Sequence, residues 1–339
     1  MKIGTIGTGT IVDTFLNAVQ EIENVECTAM YSRKEETARD LARKFKVKQI
    51  YTDYTAMLAD INIDFIYIAS PNSLHFEYAK KALQNGKNVI CEKPFTSTVK
   101  EAEILIDIAM RKNLFLFEAI TTIHLPNYYK IKKLISSIGD MKLVQLNFSQ
   151  YSSRYDKLLA GEVTNAFDPV FSGGALVDIN IYNLHFVTGL FGQAEHVTYQ
   201  ANIAENGIDT SGIVLLKYNG FICECVGAKD SYSPGFVILQ GTEGYIRLQG
   251  SSPHCLSFEV VIGDSVETYN DQLISNRMVY EIINFEEMYQ NRNYKKCFEL
   301  LQHSLRVVKT AVMAREDAGI IFDADHKIRK SEEIDYDTK

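Results

Sequence analysis

From Lys2 to Glu118 the chain alternates strand-like and helix-like segments without a break, and this alternation constrains the fold more than any other feature. Short apolar runs with strand character lie at Lys2–Gly7, Val25–Tyr31, Lys48–Tyr51, Asp64–Ser70, Asn88–Glu92 and Leu114–Glu118. Between them apolar residues recur at helical spacing. Ile11, Phe15, Ala18 and Ile22 make one face, and Ala38, Leu41, Ala42 and Phe45 make another. The run Asp64-Phe-Ile-Tyr-Ile-Ala-Ser is apolar on both alternating faces, as a strand covered by helices on both sides must be. Gly86 stands where a helix stops before the next strand. Six strands with crossover helices predict an α/β fold: a doubly wound parallel sheet that binds its ligand at the carboxyl ends of the strands.

The pattern changes after about Thr122. Helical stretches at Asn127–Ser137 and Gly174–Gly189 flank strand candidates at Lys142–Tyr151, Glu195–Ile203, Ser211–Tyr218, Phe221–Ala228, Phe236–Gln240, Tyr245–Leu248 and Leu256–Ile262. Asn219-Gly220 joins two of these as a two-residue hairpin turn. Helices near Val279–Asn291 and Phe298–Ala318 follow, and the charged tail from Lys327 is expected to fray. A chain of 339 residues is read as two domains, 1–121 and 122–339. The second is expected to be an α/β domain with a large, mostly antiparallel, open sheet.

Composition narrows the function. The formal charge is −8, from 35 basic and 43 acidic residues, with no block of like charge, which argues against a nucleic-acid face or a polybasic membrane patch. Hydrophobic residues at 46% suffice for two cores. The six cysteines are scattered without metal-ligand spacing, so no metal is expected, and Cys223 and Cys225 share one strand face as packing residues. Met1-Lys2 opens no secretory signal, and no apolar run approaches the ~20 residues of a membrane span. A cytoplasmic protein with reduced thiols is expected.

Gly7-Thr8-Gly9-Thr10-Ile11-Val12 leads from the first strand into the first helix. In such a turn the backbone N–H groups and the helix N-terminus face a pyrophosphate, and glycine permits the close approach. Val12 fills the third glycine position of the dinucleotide fingerprint and predicts a looser helix–strand contact. The second strand ends in Met30-Tyr31-Ser32-Arg33-Lys34, with no carboxylate before Glu35 to bind the ribose 2′-hydroxyl of NAD. Ser32 can donate to a 2′-phosphate, and Arg33 can pair with that phosphate and cover the adenine. NADP is therefore favoured over NAD. The plain alternative is a solvated basic turn opening a helix.

Ser70-Pro71-Asn72-Ser73-Leu74-His75 follows the fourth strand and Cys91-Glu92-Lys93-Pro94 the fifth. Both lie at the ligand-binding edge of the sheet, which makes Ser70, Pro71, Asn72, His75, Glu92 and Lys93 candidate cofactor contacts. His75 reads equally well as an ordinary helix-start residue. In the second domain Asp178, Tyr182 and His185 stand at i, i+4 and i+7 on an otherwise apolar helix. Such a stripe is costly to bury unless it faces a cavity or is well bonded, so it is either a site or a structural network. His185 itself reads as a packed histidine. His124, Asn127, Arg154, Tyr155, Asn165 and Asp168 are candidate pocket residues, or ordinary surface and interdomain groups. No HExxH, GxSxG or Cys–His arrangement competes with this site.

Together these residues resemble the Gfo/Idh/MocA oxidoreductases, the glucose–fructose oxidoreductase and inositol dehydrogenase relatives. The resemblance runs from Lys2 to about Phe322. It is carried by Gly7-Thr-Gly9, Ser70-Pro-Asn72-Ser-Leu-His75, Asn85-Gly86-Lys87-Asn-Val-Ile-Cys-Glu92-Lys93-Pro94, Glu118-Ala119 and Gly173-Gly174-Ala-Leu-Val-Asp178. Tyr182, four residues after the aspartate, resembles the dihydrodiol and xylose dehydrogenase branch; inositol dehydrogenases place a histidine there, which counts against an inositol substrate by analogy. The resemblance implies a Rossmann domain and a catalytic Lys93 beside the nicotinamide. It also implies Tyr182 as the proton-transfer residue and Asp178 holding or tuning the pair. A free tyrosine titrates near ~10, and an adjacent ammonium brings the phenolate closer to working pH. The expected reaction is hydride transfer between NADP (or NAD) and a secondary alcohol or carbonyl of a sugar, polyol or related molecule. A homodimer or larger assembly through the C-terminal sheet is also implied. The rival readings are a non-catalytic dinucleotide- and sugar-binding regulator and a redox-assisted glycosidase of the same fold.

Overall fold

A computed structural model describes residues 1–326, and the tail from Lys327 lies outside the described residues. The described residues form two compact units, one comprising 1–96, 100–121 and 274–304, the other 97–99, 122–273 and 305–326. The sequence reading divides the chain once, after 121; the structure returns 274–304 to the first unit.

The first unit runs β1 (Lys2–Ile6), α1 (Thr10–Val19), β2 (Glu26–Tyr31), α2 (Glu35–Lys44), β3 (Gln49–Tyr51), α3 (Tyr54–Ala59), β4 (Phe65–Ile68), α4 (His75–Gln84), β5 (Asn88–Glu92), α5 (Val99–Lys112) and β6 (Leu116–Ala119). The strands are all parallel in the order β3-β2-β1-β4-β5-β6, that of a doubly wound dinucleotide fold. All four residues of β4 are fully buried, each contributing about 1.5–3 kcal/mol from its apolar surface. The buried stripe of α1 is Val12, Phe15, Leu16, Ala18 and Val19. It differs from the expected stripe at both ends, because Ile11 is 40% exposed and Ile22 lies beyond the helix.

The second unit contains α6 (Pro126–Leu134), β7 (Met141–Ser149), α7 (Ser153–Leu159), a wide π turn (Leu176–Asn180) and α8 (Ile181–Phe191). Seven strands follow: β8 (His196–Ile203), β9 (Asp209–Tyr218), β10 (Phe221–Ala228), β11 (Phe236–Gly241), β12 (Gly244–Gln249), β13 (Phe258–Ile262) and β14 (Ser265–Tyr269). They join β7 in one sheet of order β14-β13-β12-β11-β7-β10-β9-β8. Every pairing is antiparallel except that of β10 with β7. The β9–β10 hairpin closes at Tyr218 and Phe221 as its Asn-Gly turn requires, with Gly220 at φ +88°. One face buries Val214, Leu216, Cys223 and Cys225, the two sulfurs 3.7 Å apart. The opposite face leaves Ile213, Leu215 and Ile222 exposed.

Two further helices follow, α9 (Met278–Gln290) and α10 (Tyr294–Asp317). Aromatic packing explains why the stretch around α9 belongs with the parallel sheet. Phe285 stacks on Phe117 with centroids 4.4 Å apart, Tyr289 meets Phe65 edge-on at 5.0 Å, and Tyr294 stacks on Phe115 at 4.4 Å. Among the described residues no helix is long and apolar enough to cross a membrane.

Candidate functional site

The carboxyl edge of the parallel sheet collects most of the candidate residues of the first unit. Gly7, leaving β1, has φ +109°, and a Cβ there would stand 2.5 Å from the Ala69 carbonyl oxygen. Only glycine fits. Gly9 is the N-cap of α1; no side chain caps this helix, and a Cβ on Gly9 would meet nothing within 4 Å. Thr8, Thr10 and the partly exposed Ile11 frame this open, positively polarised helix end. The first-turn acid Asp13 is neutralised by Lys44 at 2.6 Å. An uncapped N-terminus with open space over a glycine fits a pyrophosphate. Val12 is fully buried beside the turn, with its Cγ2 3.5 Å from the position of a Gly7 Cβ.

Beyond β2, the Ser32 hydroxyl is hydrogen-bonded to the Thr37 hydroxyl in a short contact, and the Ser32 N–H donates to the Tyr51 carbonyl at 3.0 Å. No side chain caps α2 either, and its first acid, Glu35, pairs with Arg39 at 3.3 Å. Two hydroxyls, the Arg33 guanidinium and a helix N-terminus without a side-chain cap thus gather at this turn, groups of the kind that could hold an anion. Thr37 escaped the sequence reading because only the turn into α2 brings it back onto Ser32. Beside it lies a groove of about 620 Å³ whose lining includes Tyr31, Tyr54, Leu74 and Tyr78. The three tyrosines pack edge-on or tilted at 5.2–6.1 Å, and the charge of Arg33 is felt at Tyr78. A flat aromatic group suits such walls.

Ser70, Pro71 and Asn72 follow β4, and Lys93 follows β5 at the same edge, with the Lys93–Pro94 bond cis. His75 lies buried between these two loops, its Nδ1 2.9 Å from the Pro94 carbonyl oxygen and its Nε2 3.0 Å from that of Ser70. Burial holds this imidazole below the ordinary histidine range. Glu92 turns inward. Its Oε1 accepts the Tyr67 hydroxyl at 2.6 Å, and burial pushes its carboxyl up to about 7, against the pull of Tyr67 and Lys93. Glu118 accepts the Phe95 N–H at 3.0 Å, and Glu281 on α9 is buried with neither carboxylate oxygen hydrogen-bonded. Burial and the nearby Glu92 and Glu118 push Glu281 well above the carboxylate range. Three carboxyls thus crowd the interior behind Lys93. Sequence reasoning missed Glu281, which stands 189 residues from Glu92 on an unremarkable helix.

In the second unit, Asp178 sits in the π turn and Tyr182 in the first turn of α8. Both are partly exposed, whereas His185 is fully buried. The stripe therefore presents two of its three residues at a surface. Asp178 pairs with Lys229, which the sequence did not single out, and Tyr182 meets the Phe148 ring edge-on at 5.8 Å. Of the candidate pocket residues, Asn127 is a structural tie that donates to the carbonyls of Cys255 and Leu256 and accepts the Asp271 N–H. Asp168 accepts the Val170 N–H. His124 is buried, Tyr155 packs on Phe167, and Arg154 and Asn165 are exposed.

Residues 1–119 match the family described as "Oxidoreductase family, NAD-binding Rossmann fold", and residues 128–247 match the GFO/IDH/MocA C-terminal domain. The chain is 34% identical over 334 residues to the scyllo-inositol 2-dehydrogenase (NADP(+)) IolU of Bacillus subtilis, covering 96% of this chain and 99% of the relative. It is 32% identical to a trans-1,2-dihydrobenzene-1,2-diol dehydrogenase of Xenopus tropicalis over 65% of this chain and 66% of that one. A relative named for scyllo-inositol thus matches over 96% of this chain, and one named for a dihydrodiol over 65%. Among solved structures, the 3-ketoreductase KijD10 of Actinomadura kijaniata superposes with a TM-score of 0.80 at 21% identity, covering 94% of this chain and 97% of the other, and shares its fold. The chain belongs to the Gfo/Idh/MocA family of oxidoreductases.

Proposed function

We propose that this protein is an NADP-dependent dehydrogenase or reductase of a sugar or cyclic polyol, with Lys93, Tyr182 and Asp178 in its catalytic machinery. One observation carries the reading: a single sheet edge presents in turn the glycine turn, the Ser32–Arg33–Thr37 anion site and Lys93. Gly7, Thr8, Gly9, Thr10 and Ile11 hold the pyrophosphate. Ser32, Arg33 and Thr37 hold the 2′-phosphate, and the tyrosine-lined groove takes the adenine. Bound NADP supplies or accepts the hydride. Lys93 offers a positive charge to the substrate oxygen, which becomes negative as hydride arrives at the carbonyl carbon in reduction and as the carbinol proton leaves in oxidation. Tyr182 takes the carbinol proton onto its phenolic oxygen in oxidation and returns it in reduction. The substrate class follows the relatives, which act on scyllo-inositol, D-xylose and a cyclic dihydrodiol. The exposed Ile213, Leu215 and Ile222 face supports a homo-oligomer formed through the eight-stranded sheet, which sedimentation of the protein reads directly.

The test is a screen of inositols, aldoses and dihydrodiols with NADP⁺, and of the matching ketones with NADPH, followed by NADPH absorbance. Turnover of at least one is expected, falling by roughly 10²–10⁴ in Tyr182→Phe with NADPH binding retained. NADPH binding without any turnover would instead favour a sensor. A protein that binds no dinucleotide would overturn the reading altogether.

A further inference from the structure

We propose that Lys229 is a positioning residue of the proposed site, the counter-ion that keeps Asp178 charged while cancelling its field at Tyr182. The proposal rests on the reading of Tyr182 as the proton carrier. Lys229 directly follows β10 and its backbone is held on both sides. Its N–H donates to the Thr210 carbonyl and its own carbonyl accepts the Ser152 N–H, each at 2.9 Å. Its side chain is only 5% exposed, lies 5.1 Å from the centroid of the buried Phe167 ring, and donates to Asp178 Oδ2 in a short contact.

The backbone brings the two charges together. The π turn that carries Asp178 lies on β10, where a Cβ on Gly227 would stand 2.5 Å from that of Asn180. Asn180 donates to the Cys225 carbonyl and Asn183 to that of Val226, fixing the start of α8 on the strand that ends beside Lys229. The other acids nearby are engaged elsewhere. Asp230 accepts the Thr210 and Ser211 hydroxyls at 2.7 Å each, and Asp209 accepts the Leu176 N–H and the Tyr199 hydroxyl. Further titratable groups in this part of the unit are His185 on α8, His254, which meets the same Phe148 ring as Tyr182, and Tyr155, which meets the same Phe167 ring as Lys229.

Two consequences follow from elementary electrostatics. Protonating Asp178 would strand a buried ammonium, so Asp178 does not serve as the proton carrier. An unpaired carboxylate one helical turn from a phenol would oppose phenolate formation, whereas the neutral pair leaves Tyr182 free to ionise. A merely structural pair would hold α8 in place but leave Tyr182 ionisation indifferent to which charge is removed.

The experiment titrates Tyr182 alone, as the tyrosinate absorbance of each protein minus that of its Tyr182→Phe counterpart, with no substrate present. Lys229→Met should raise the pH of Tyr182 ionisation by roughly one pH unit, and Asp178→Asn should lower it by a similar amount. The double variant, which buries no net charge, should return close to the parent, and Lys229→Arg should leave the titration in place. Shifts of the same sign in the two single variants, or none, would overturn the proposal. Should Lys229→Met fail to fold, Asp178→Asn and the double variant still decide it. If the titrations behave as expected while Tyr182→Phe retains full turnover, the ion pair stands and the proposed role of Tyr182 falls.

Discussion

Replacing Glu92 by glutamine should flatten the pH dependence of folding between about pH 4.5 and pH 7. The Glu92 carboxyl is 6% exposed and is raised from 4.5 to about 7, chiefly because burial penalises its charge. The folded protein therefore holds this proton more tightly than the unfolded chain does. The associated stability is fully present below the unfolded value and is lost as pH climbs through the folded one. At about 1.4 kcal/mol for each tenfold change in proton affinity, the loss amounts to about 3 kcal/mol. Urea unfolding from pH 4.5 to 8 measures it. The parent should lose about 3 kcal/mol more than Glu92→Gln across that window. Tyr67→Phe, which removes the hydroxyl that favours the carboxylate, should move the parent's loss to higher pH. Parallel curves for the parent and Glu92→Gln would refute the reasoning.

Gly7→Ala should destabilise the fold by about 2–4 kcal/mol, because it sets a Cβ against the Ala69 carbonyl at a positive φ, and urea unfolding reads the loss. Gly9→Ala meets no such obstacle and should keep the urea midpoint while weakening NADPH binding in calorimetry. Arg33→Ala should cost NADPH on the order of 1.5–3 kcal/mol of binding and NADH much less; equal losses for both cofactors would remove Arg33 from the 2′-phosphate site.

The parallel sheet was legible because each strand is bounded by a glycine or a polar turn and carries a strong apolar run, as in Phe65–Ile68. Strand β14 was not, since four of the five residues of Ser265–Tyr269 are exposed and an edge strand without a buried face has no alternation to read. Helix α7 buries no residue and depends on its Ser152 cap, so it too leaves no apolar period. The proposed places of the glycine turn, Ser32, Arg33 and Lys93 were readable because strand ends locate them in sequence. Thr37, Glu281 and Lys229 could not, because each acquires its role from a neighbour that only folding supplies. For Lys229 the one available sign was its place directly after an apolar strand, where a lysine is ordinarily solvated.

The two units solve the same problem in different ways. A carboxyl group taken out of water must lose its charge or acquire a partner for it. Behind Lys93 the first unit favours the proton: Glu92 is raised to about 7 and Glu281 well above the carboxylate range, both chiefly by burial, so raising the pH loads this interior with charge. Beside Tyr182 the second unit uses the Lys229 ammonium, which balances Asp178 without consuming a proton. The difference suits the proposed chemistry. A proton carrier such as Tyr182 works best when the groups around it do not exchange protons of their own at working pH, and a fixed ion pair meets that condition where a shared proton would not.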